Sequence, residues 1–251
     1  KEFHLTARSP YFLDYCRQYS DMPMLVFLRP AGNGYEPGRF VRASDFDGQL
    51  GETNNPEWKT VVIDEVTGHL CVPHGSIGFR WREKGHWNLD LIDRATGHRI
   101  TPTLSMLPQA EEIVPVAFPY FSDDRPSVLL RLVQARRLSP IHGESLVVTS
   151  YDLLLASYGL DRGFGDDQIA QDYDQDIPYT PAWAEKHTGV SRHQIIRLAR
   201  EFAENAEKTR GRSMVIVGNG INQWYHTDMI YRAIINVLVM CGCVGRSGGG
   251  W

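Results

Sequence analysis

Between Gly218 and His226 the chain reads GNGINQWYH, a run that gathers two glycines, three side-chain amides, an indole, a phenol and an imidazole. Glycines let the backbone turn tightly and approach a ligand closely, while amide and aromatic groups hydrogen-bond a heterocycle and stack on it. Gly218-Asn219-Gly220 matches the first half of a G-x-G-x-x-G dinucleotide fingerprint, but Gln223 stands at the third glycine position and no acidic residue follows at the required distance. Two readings of this turn stay open: a structural link between strand and helix, or a cofactor contact.

Other candidate chemistry is weaker. Cys241-Gly242-Cys243 suggests soft-metal or redox chemistry, yet a closed zinc or iron-sulfur site needs about four ligands, and Cys16 and Cys71 lie in other regions. Buried apolar packing at a helix end is the expected role, and no metal site is expected within the chain. The nine histidines show neither H-x-x-x-H nor H-E-x-x-H spacing. Gly75-Ser76-Ile77-Gly78 and Gly245-Arg246-Ser247-Gly248 lack the G-x-S-x-G elbow, so no catalytic nucleophile is expected. Asp123-Asp124 and Asp166-Asp167 read as solvated acids, and Arg80, Arg82 and Lys84 as one face of an exposed strand.

The elements that would position the glycine turn follow from pattern. Met214 to Val217 is a short apolar run predicting a strand, and Ile230, Ala233, Ile234, Val237, Leu238 and Cys241 recur at helical spacing behind it. Upstream, Pro181 and the Ser191/Gln194 capping box predict two helices, the second with Ile195, Leu198, Ala199, Phe202 and Ala203 as its apolar stripe. Leu146 to Thr149 predicts a strand and Tyr151 to Tyr158 a helix closed by Gly159; Asp161 to Asp176 reads as an acidic surface loop. Near the start, Ser9-Pro10 caps a helix ending at about Tyr19.

From Leu25 to Leu146 the pattern is short extended runs, with Thr67-Gly68 and Thr96-Gly97 each closing a hairpin. No internal repeat is evident. The reading is therefore an α/β chain in three parts: residues 1–24 as a helical segment, 25–146 as a β-rich, loop-rich insertion, and 147–251 as the α/β part. Because a lone strand with its helices cannot make a full sheet, more of the sheet is expected from residues outside this chain. Lys1 in place of an initiator methionine and the glycine triplet before Trp251 fit the same expectation of a piece of a longer protein.

With 251 residues, 42% of them hydrophobic, the chain can bury a core. A net charge of -4 without basic blocks argues against nucleic acid as a partner. Four sparse cysteines suit a reducing compartment better than a disulfide framework. No signal peptide or membrane-spanning run is apparent, so the piece is expected to be soluble, although its parent could sit at a membrane.

YSDMPMLV (Tyr19 to Val26), NNPEWKTV (Asn54 to Val61), GSIGFRW (Gly75 to Trp81), YTPAWAEKHTGVSRHQIIRLAREFA (Tyr179 to Ala203), GRSMVIVGNGINQWYHTDM (Gly211 to Met229) and MCGCVGRSGGGW (Met240 to Trp251) together carry a resemblance. They resemble the catalytic α subunits of the membrane-associated respiratory nitrate reductases, in the dimethyl-sulfoxide-reductase family of molybdopterin enzymes. The stretch from TGV to GGG is generic to that wider family, whereas NNPEWK and GSIGFRW are more specific to the nitrate reductases.

The resemblance implies a parent that binds molybdenum as bis-molybdopterin guanine dinucleotide and carries a 4Fe-4S cluster with ligands outside this chain. It implies reduction of nitrate to nitrite with electrons from an iron-sulfur β subunit, and association with the membrane through partner subunits, including a membrane γ subunit, on the cytoplasmic side. Gly218, Asn219, Gly220, Asn222, Trp224 and His226 map to the loop expected to approach the pterin or its diphosphate, and Gly248, Gly249 and Gly250 lead into the next cofactor-facing segment. The implied fold is the later part of a Rossmann-like α/β/α domain carrying the β-rich insertion, catalytically silent alone. Asn219 and Gln223 depart mildly from the family pattern. The alternative is a non-redox nucleotide-binding or scaffolding module.

Overall fold

The computed structural model describes residues 1–50, 56–73, 91–93, 95–121, 126–166 and 168–251. In chain order the elements are α1 (Pro10–Tyr19), β1 (Leu25–Ala31), β2 (Gly34–Phe40), β3 (Val62–Ile63), β4 (Leu70–Cys71), β5 (Glu112–Phe121), β6 (Pro126–Leu138), β7 (Ser145–Thr149), α2 (Ser150–Ser157), α3 (Pro181–Thr188), α4 (Arg192–Thr209), α5 (Asn219–Asn222) and α6 (Thr227–Met240). They fall into two compact units, Asp21–Gln171 and the pair of flanking segments Lys1–Ser20 with Asp172–Trp251. The mixed helix and strand content suits an α/β chain. The sheet itself is a closed five-stranded barrel, and no doubly wound parallel sheet is found among the described residues.

The barrel lies in the Asp21–Gln171 unit. β1 pairs antiparallel with β2 and with β7, β5 with β6 and β6 with β7, while a single parallel bridge from Tyr35 to Val116 joins β2 to β5 and closes the ring. The period-2 alternation of strands sorts its side chains between two cores. Val147 packs with Leu25, Val41, Val61 and Ile63, whereas its neighbours Leu146 and Val148 pack with Val26, Val114, Val116 and Val133.

Buried polar groups tie the barrel to α2. The Asp152 carboxylate accepts from the Met106 amide at 2.7 Å and from Gln134 Nε2 at 2.7 Å, and Gln134 Oε1 accepts from Arg162 Nη1 at 3.0 Å. Arg162 Nη2 also donates to the Leu132 carbonyl. The stretch 161–176, expected as a plain surface loop, thus sends Arg162 into the barrel and buries Ile169. Charge-assisted bonds of this kind compensate desolvation.

The two Thr-Gly hairpins form as expected, and they share a design that overturns the absence of an internal repeat. Asp64 and Asp93 begin matching Asp-x-x-Thr-Gly-His turns. In each, one aspartate oxygen accepts from the threonine amide (3.0 and 2.9 Å) and hydroxyl (2.8 and 2.7 Å). The other oxygen reaches across: Asp64 to the Thr101 amide beyond the second turn, Asp93 to the Val72 amide beyond the first. Asp64 bridges Pro102 and Asp93 bridges Pro73, so the hairpins clamp one another reciprocally. Asn54-Asn55, Gly75-Ser76-Ile77-Gly78, Arg80, Arg82, Lys84, Asp123-Asp124 and Asp167 lie outside the described residues.

In the other unit, Phe12 of α1, Ala203 and Ala206 of α4, Leu238 of α6 and Cys243 form the core. Ser9 caps α1 through a bond from the Phe12 amide, and Thr180 caps α3 through the Trp183 amide at 3.1 Å. Ser191 starts α4 without the expected capping box, because its hydroxyl accepts no amide there. The predicted α4 stripe is only partly covered: Ala203 is buried but Leu198 is 67% exposed. Among the described residues no helix is long and apolar enough to cross a membrane.

His4 is buried in this unit, with Nε2 2.8 Å from the Met240 carbonyl. Since a carbonyl only accepts, Nε2 carries the hydrogen. Burial pushes the imidazole pKa down to about 4, the Met240 bond opposing it. A base with a depressed folded pKa stabilises the fold above its unfolded value near 6.5 and loses that contribution as pH falls toward 4. The expected loss is about 3 kcal/mol between those limits. A His4→Gln variant should lack this acid limb in denaturant titrations at pH 7 and pH 4.5; identical pH slopes would exclude the assignment.

Candidate functional site

The glycine turn is reached from α4. Asn205 Nδ2 donates to the Ser213 hydroxyl at 2.9 Å and to the Arg212 carbonyl at 3.0 Å, fixing the entry to residues 213–218. Val215 packs on the core while Met214 and Ile216 are exposed, the alternation of an extended chain. Yet Met214–Val217 does not form the predicted strand. A ladder needs a neighbour running alongside for several residues, and among the described residues Met214 makes one isolated parallel bridge, to Gly250. The Val215 amide donates to the Gly250 carbonyl at 2.9 Å and the Gly250 amide to the Ser213 carbonyl at 3.1 Å.

That bridge brings the two predicted segments, Gly218 to His226 and Gly248 to Gly250, to one edge. Tyr231 on α6 joins them again: its hydroxyl donates to Asn222 Oδ1, and its ring stacks on Trp251 at 4.9 Å. Asn222 Nδ2 in turn donates to Asn219 Oδ1 at 3.4 Å. Thr227 fastens the start of α6 to the loop through the Ile221 carbonyl at 2.6 Å. His226 turns the chain between α5 and α6 with a left-handed backbone, φ 56°, and its ring lies 3.9 Å from that of Tyr225. Trp224 is 72% and Tyr225 88% exposed.

Steric tests divide the glycines. A Cβ on Gly249 would stand 1.9 Å from the Gly211 carbonyl oxygen and 2.9 Å from that of Cys243, so the chain's own packing explains that residue. Gly218 and Gly220 differ. A Cβ on either meets nothing within 4 Å, and Gly218 has φ -103°, which any residue adopts. Among the described residues nothing requires glycine at these two positions, and the space a Cβ would take there is open.

The cysteine pair is packed, not exposed. Cys243 is fully buried, burial pushes the Cys241 thiol up to about 12, and Cys243 is raised for the same reason. Such thiols stay protonated and are poor nucleophiles. Sequence reasoning missed the residues that hold this end of α6: Tyr11 donates to the Gly242 carbonyl at 2.6 Å and Tyr15 to the Val244 carbonyl at 2.7 Å, beside the His4 contact. Tyr11 and Tyr15 are one helical turn apart, which was visible, but their partners lie more than 200 residues away, which was not.

An open glycine turn with amides and an exposed indole, set beside a second glycine segment, has groups that can hydrogen-bond and stack on a heterocycle. The sequence profile of the molybdopterin oxidoreductase family matches residues 82–251, and the chain belongs to that family. Its similarity to individual proteins runs further. It is 53% identical over 262 residues to the respiratory nitrate reductase 2 alpha chain of Escherichia coli K12 and 42% identical over 251 residues to the nitrate reductase alpha chain of Bacillus subtilis, in both cases along all of this chain. It is also 41% identical over 71 residues, 28% of this chain, to the perchlorate reductase subunit alpha of Dechloromonas aromatica. The chain spans about a fifth of the length of the two nitrate reductase relatives.

Membership implies a molybdenum-pterin cofactor. The residues at this edge fit one: side-chain-free backbone at Gly218 and Gly220 admits a close approach, Asn219 and Asn222 offer amide donors and acceptors, and the Trp224 indole offers a stacking face.

Proposed function

We propose that this chain is part of the α subunit of a molybdenum-dependent nitrate reductase that converts nitrate to nitrite in anaerobic respiration. It contributes one portion of a bis-molybdopterin guanine dinucleotide site and is inactive alone. The observation that carries the cofactor reading is the outward-facing room at Gly218 and Gly220, which the chain's own packing does not explain. Nitrate as substrate is supported by identity to nitrate reductase α chains along the whole chain, against a much shorter match to a perchlorate reductase.

When bound, the cofactor supplies two-electron oxygen-atom chemistry. This chain's residues bind and orient. Gly218 and Gly220 let backbone amides approach the diphosphate or pterin edge, Trp224 covers a ring face, and Asn222, held by Tyr231, keeps the loop in one conformation. Residues 213–251 then belong to a Rossmann-like domain whose remaining strands come from other parts of the parent, and the 4Fe-4S ligands lie elsewhere in it. An iron-sulfur β subunit and a membrane γ subunit would deliver electrons and hold the parent at the cytoplasmic face of the membrane.

Gly218→Val and Gly220→Val in the full-length parent test the loop. Space around both positions means that stability should change by only about 1 kcal/mol. Molybdenum and pterin per purified polypeptide should fall about tenfold or more, because the added carbons occupy the volume of the cofactor. Full cofactor content in both variants would remove the loop from the site.

A further inference from the structure

We propose that Tyr11 and Tyr15, with His4, are positioning residues that set the orientation of the Met240–Gly248 loop toward the cofactor; this rests on the functional reading above. The last carbonyls of a helix have no intrahelical donors. Here the carbonyls of Met240, Gly242 and Val244, at alternate positions along the exit from α6, are taken by His4, Tyr11 and Tyr15 in turn. Beyond them, the amides of Gly245, Ser247 and Gly248 donate to no group among the described residues, and these residues are exposed. The loop therefore has its acceptors fastened to the α1 side and a run of donors left for an outside partner.

Two further observations show that the arrangement is built. The Tyr11 hydroxyl and the Gly242 carbonyl close on Gly211 so tightly that a Cβ there would lie 2.5 and 2.3 Å from them. The Arg246 guanidinium lies over the rings of Tyr11 and Tyr19, at 5.8 and 5.7 Å, so the only cation of the loop is anchored by the same aromatic row. Amide donors and a guanidinium on one loop suit an anionic group, and on the functional reading that group is the diphosphate of the cofactor. The tyrosines touch no cofactor in this scheme; they act through the loop.

The test uses the full-length holoenzyme with Tyr11→Phe, Tyr15→Phe and the double variant, and Tyr19→Phe as the control whose hydroxyl bonds to no group among the described residues. Phenylalanine keeps the rings, the packing and the Arg246 contacts. Amide hydrogen exchange of residues 240–250 should speed up about fivefold for each hydroxyl removed, the factor that one net hydrogen bond carries. The double variant should also lose molybdenum and pterin faster on dilution and show an altered Mo(V) resonance, with its global unfolding midpoint near that of the control. A merely structural bond would not move that resonance. Wild-type exchange in the double variant, or faster exchange with cofactor retention and resonance unchanged, overturns the proposal. A wild-type holoenzyme preparation lacking molybdenum and pterin overturns the functional reading itself, before any variant is compared.

Discussion

Gly249→Ala is expected to unfold the unit made of Lys1–Ser20 and Asp172–Trp251, or to cost it at least about 3 kcal/mol. The added Cβ would lie 1.9 Å from the Gly211 carbonyl oxygen and 2.9 Å from that of Cys243. Both obstacles are backbone, so no side chain can swing aside. Relief would require moving Gly211, itself at φ 95° and packed against Gly242 and Tyr11, or breaking the bonds between Gly250 and residues 213–215. Denaturant unfolding followed by Trp183 and Trp251 fluorescence reads this unit. A variant as stable as the wild type would mean that the glycine contacts at this edge are wrongly placed. The contrast with Gly218 and Gly220, where added carbons should change stability by only about 1 kcal/mol, separates glycines that the packing requires from glycines that it does not.

Asp152→Ala should have the next largest effect, on the barrel unit, at about 3–5 kcal/mol. Its carboxylate accepts from the Met106 amide and from Gln134, which in turn accepts from the Arg162 guanidinium; removal leaves two buried donors without their acceptor and the buried guanidinium without a nearby compensating charge. The carboxylate also carries a pH signature. Burial raises its pKa to about 6, against the bonds from Met106 and Ser105 and the charge of Arg162, which lower it. Because the folded pKa lies above the unfolded value near 3.8, the native state takes up a proton first as pH falls. This group's contribution therefore becomes more favourable from pH 6 down to pH 4, by about 3 kcal/mol. Asp152→Asn should lose that gain, and it should lose about 1–3 kcal/mol at neutral pH because an amide offers only one acceptor to two donors. Parallel stability curves of wild type and Asp152→Asn over pH 4–6 would contradict the assignment. The lowered pKa values of Asp45 and Asp64 place their losses below this window.

What the sequence made legible was local. Ser9-Pro10, Pro181 and the Gly159 after α2 act within one turn of their helices, and those elements form where expected. The two Thr-Gly hairpins form for the same reason. Long-range features were not legible: nothing in the residues near Tyr35 announces its bridge to Val116, which closes the barrel. Nor does the acidic stretch after Asp161 announce that Arg162 enters a buried network. The Asp-x-x-Thr-Gly-His repeat was present in the letters but too short to stand out until both aspartates were seen to make the same bonds.

At the site, the residue types were legible and their reasons were not. The resemblance maps the loop from Gly218 to His226 to a cofactor-facing segment, and the structure supplies the distinction that the described residues leave space open at Gly218 and Gly220 while Gly249 is packed against Gly211. Met214–Val217 failed as a strand because pairing depends on neighbours, not on the apolar run itself. The same dependence leaves Ile216 at 88% and Leu198 at 67% exposed.

Molybdenum and pterin bound to the full-length parent, purified with its partner subunits and assayed for nitrate reduction by a reduced viologen dye, test the central claim most directly. The account predicts molybdenum held as bis-molybdopterin guanine dinucleotide together with nitrite formation. A folded parent free of molybdenum and inactive on nitrate would contradict it and leave the glycine edge to a non-redox nucleotide-binding or scaffolding role.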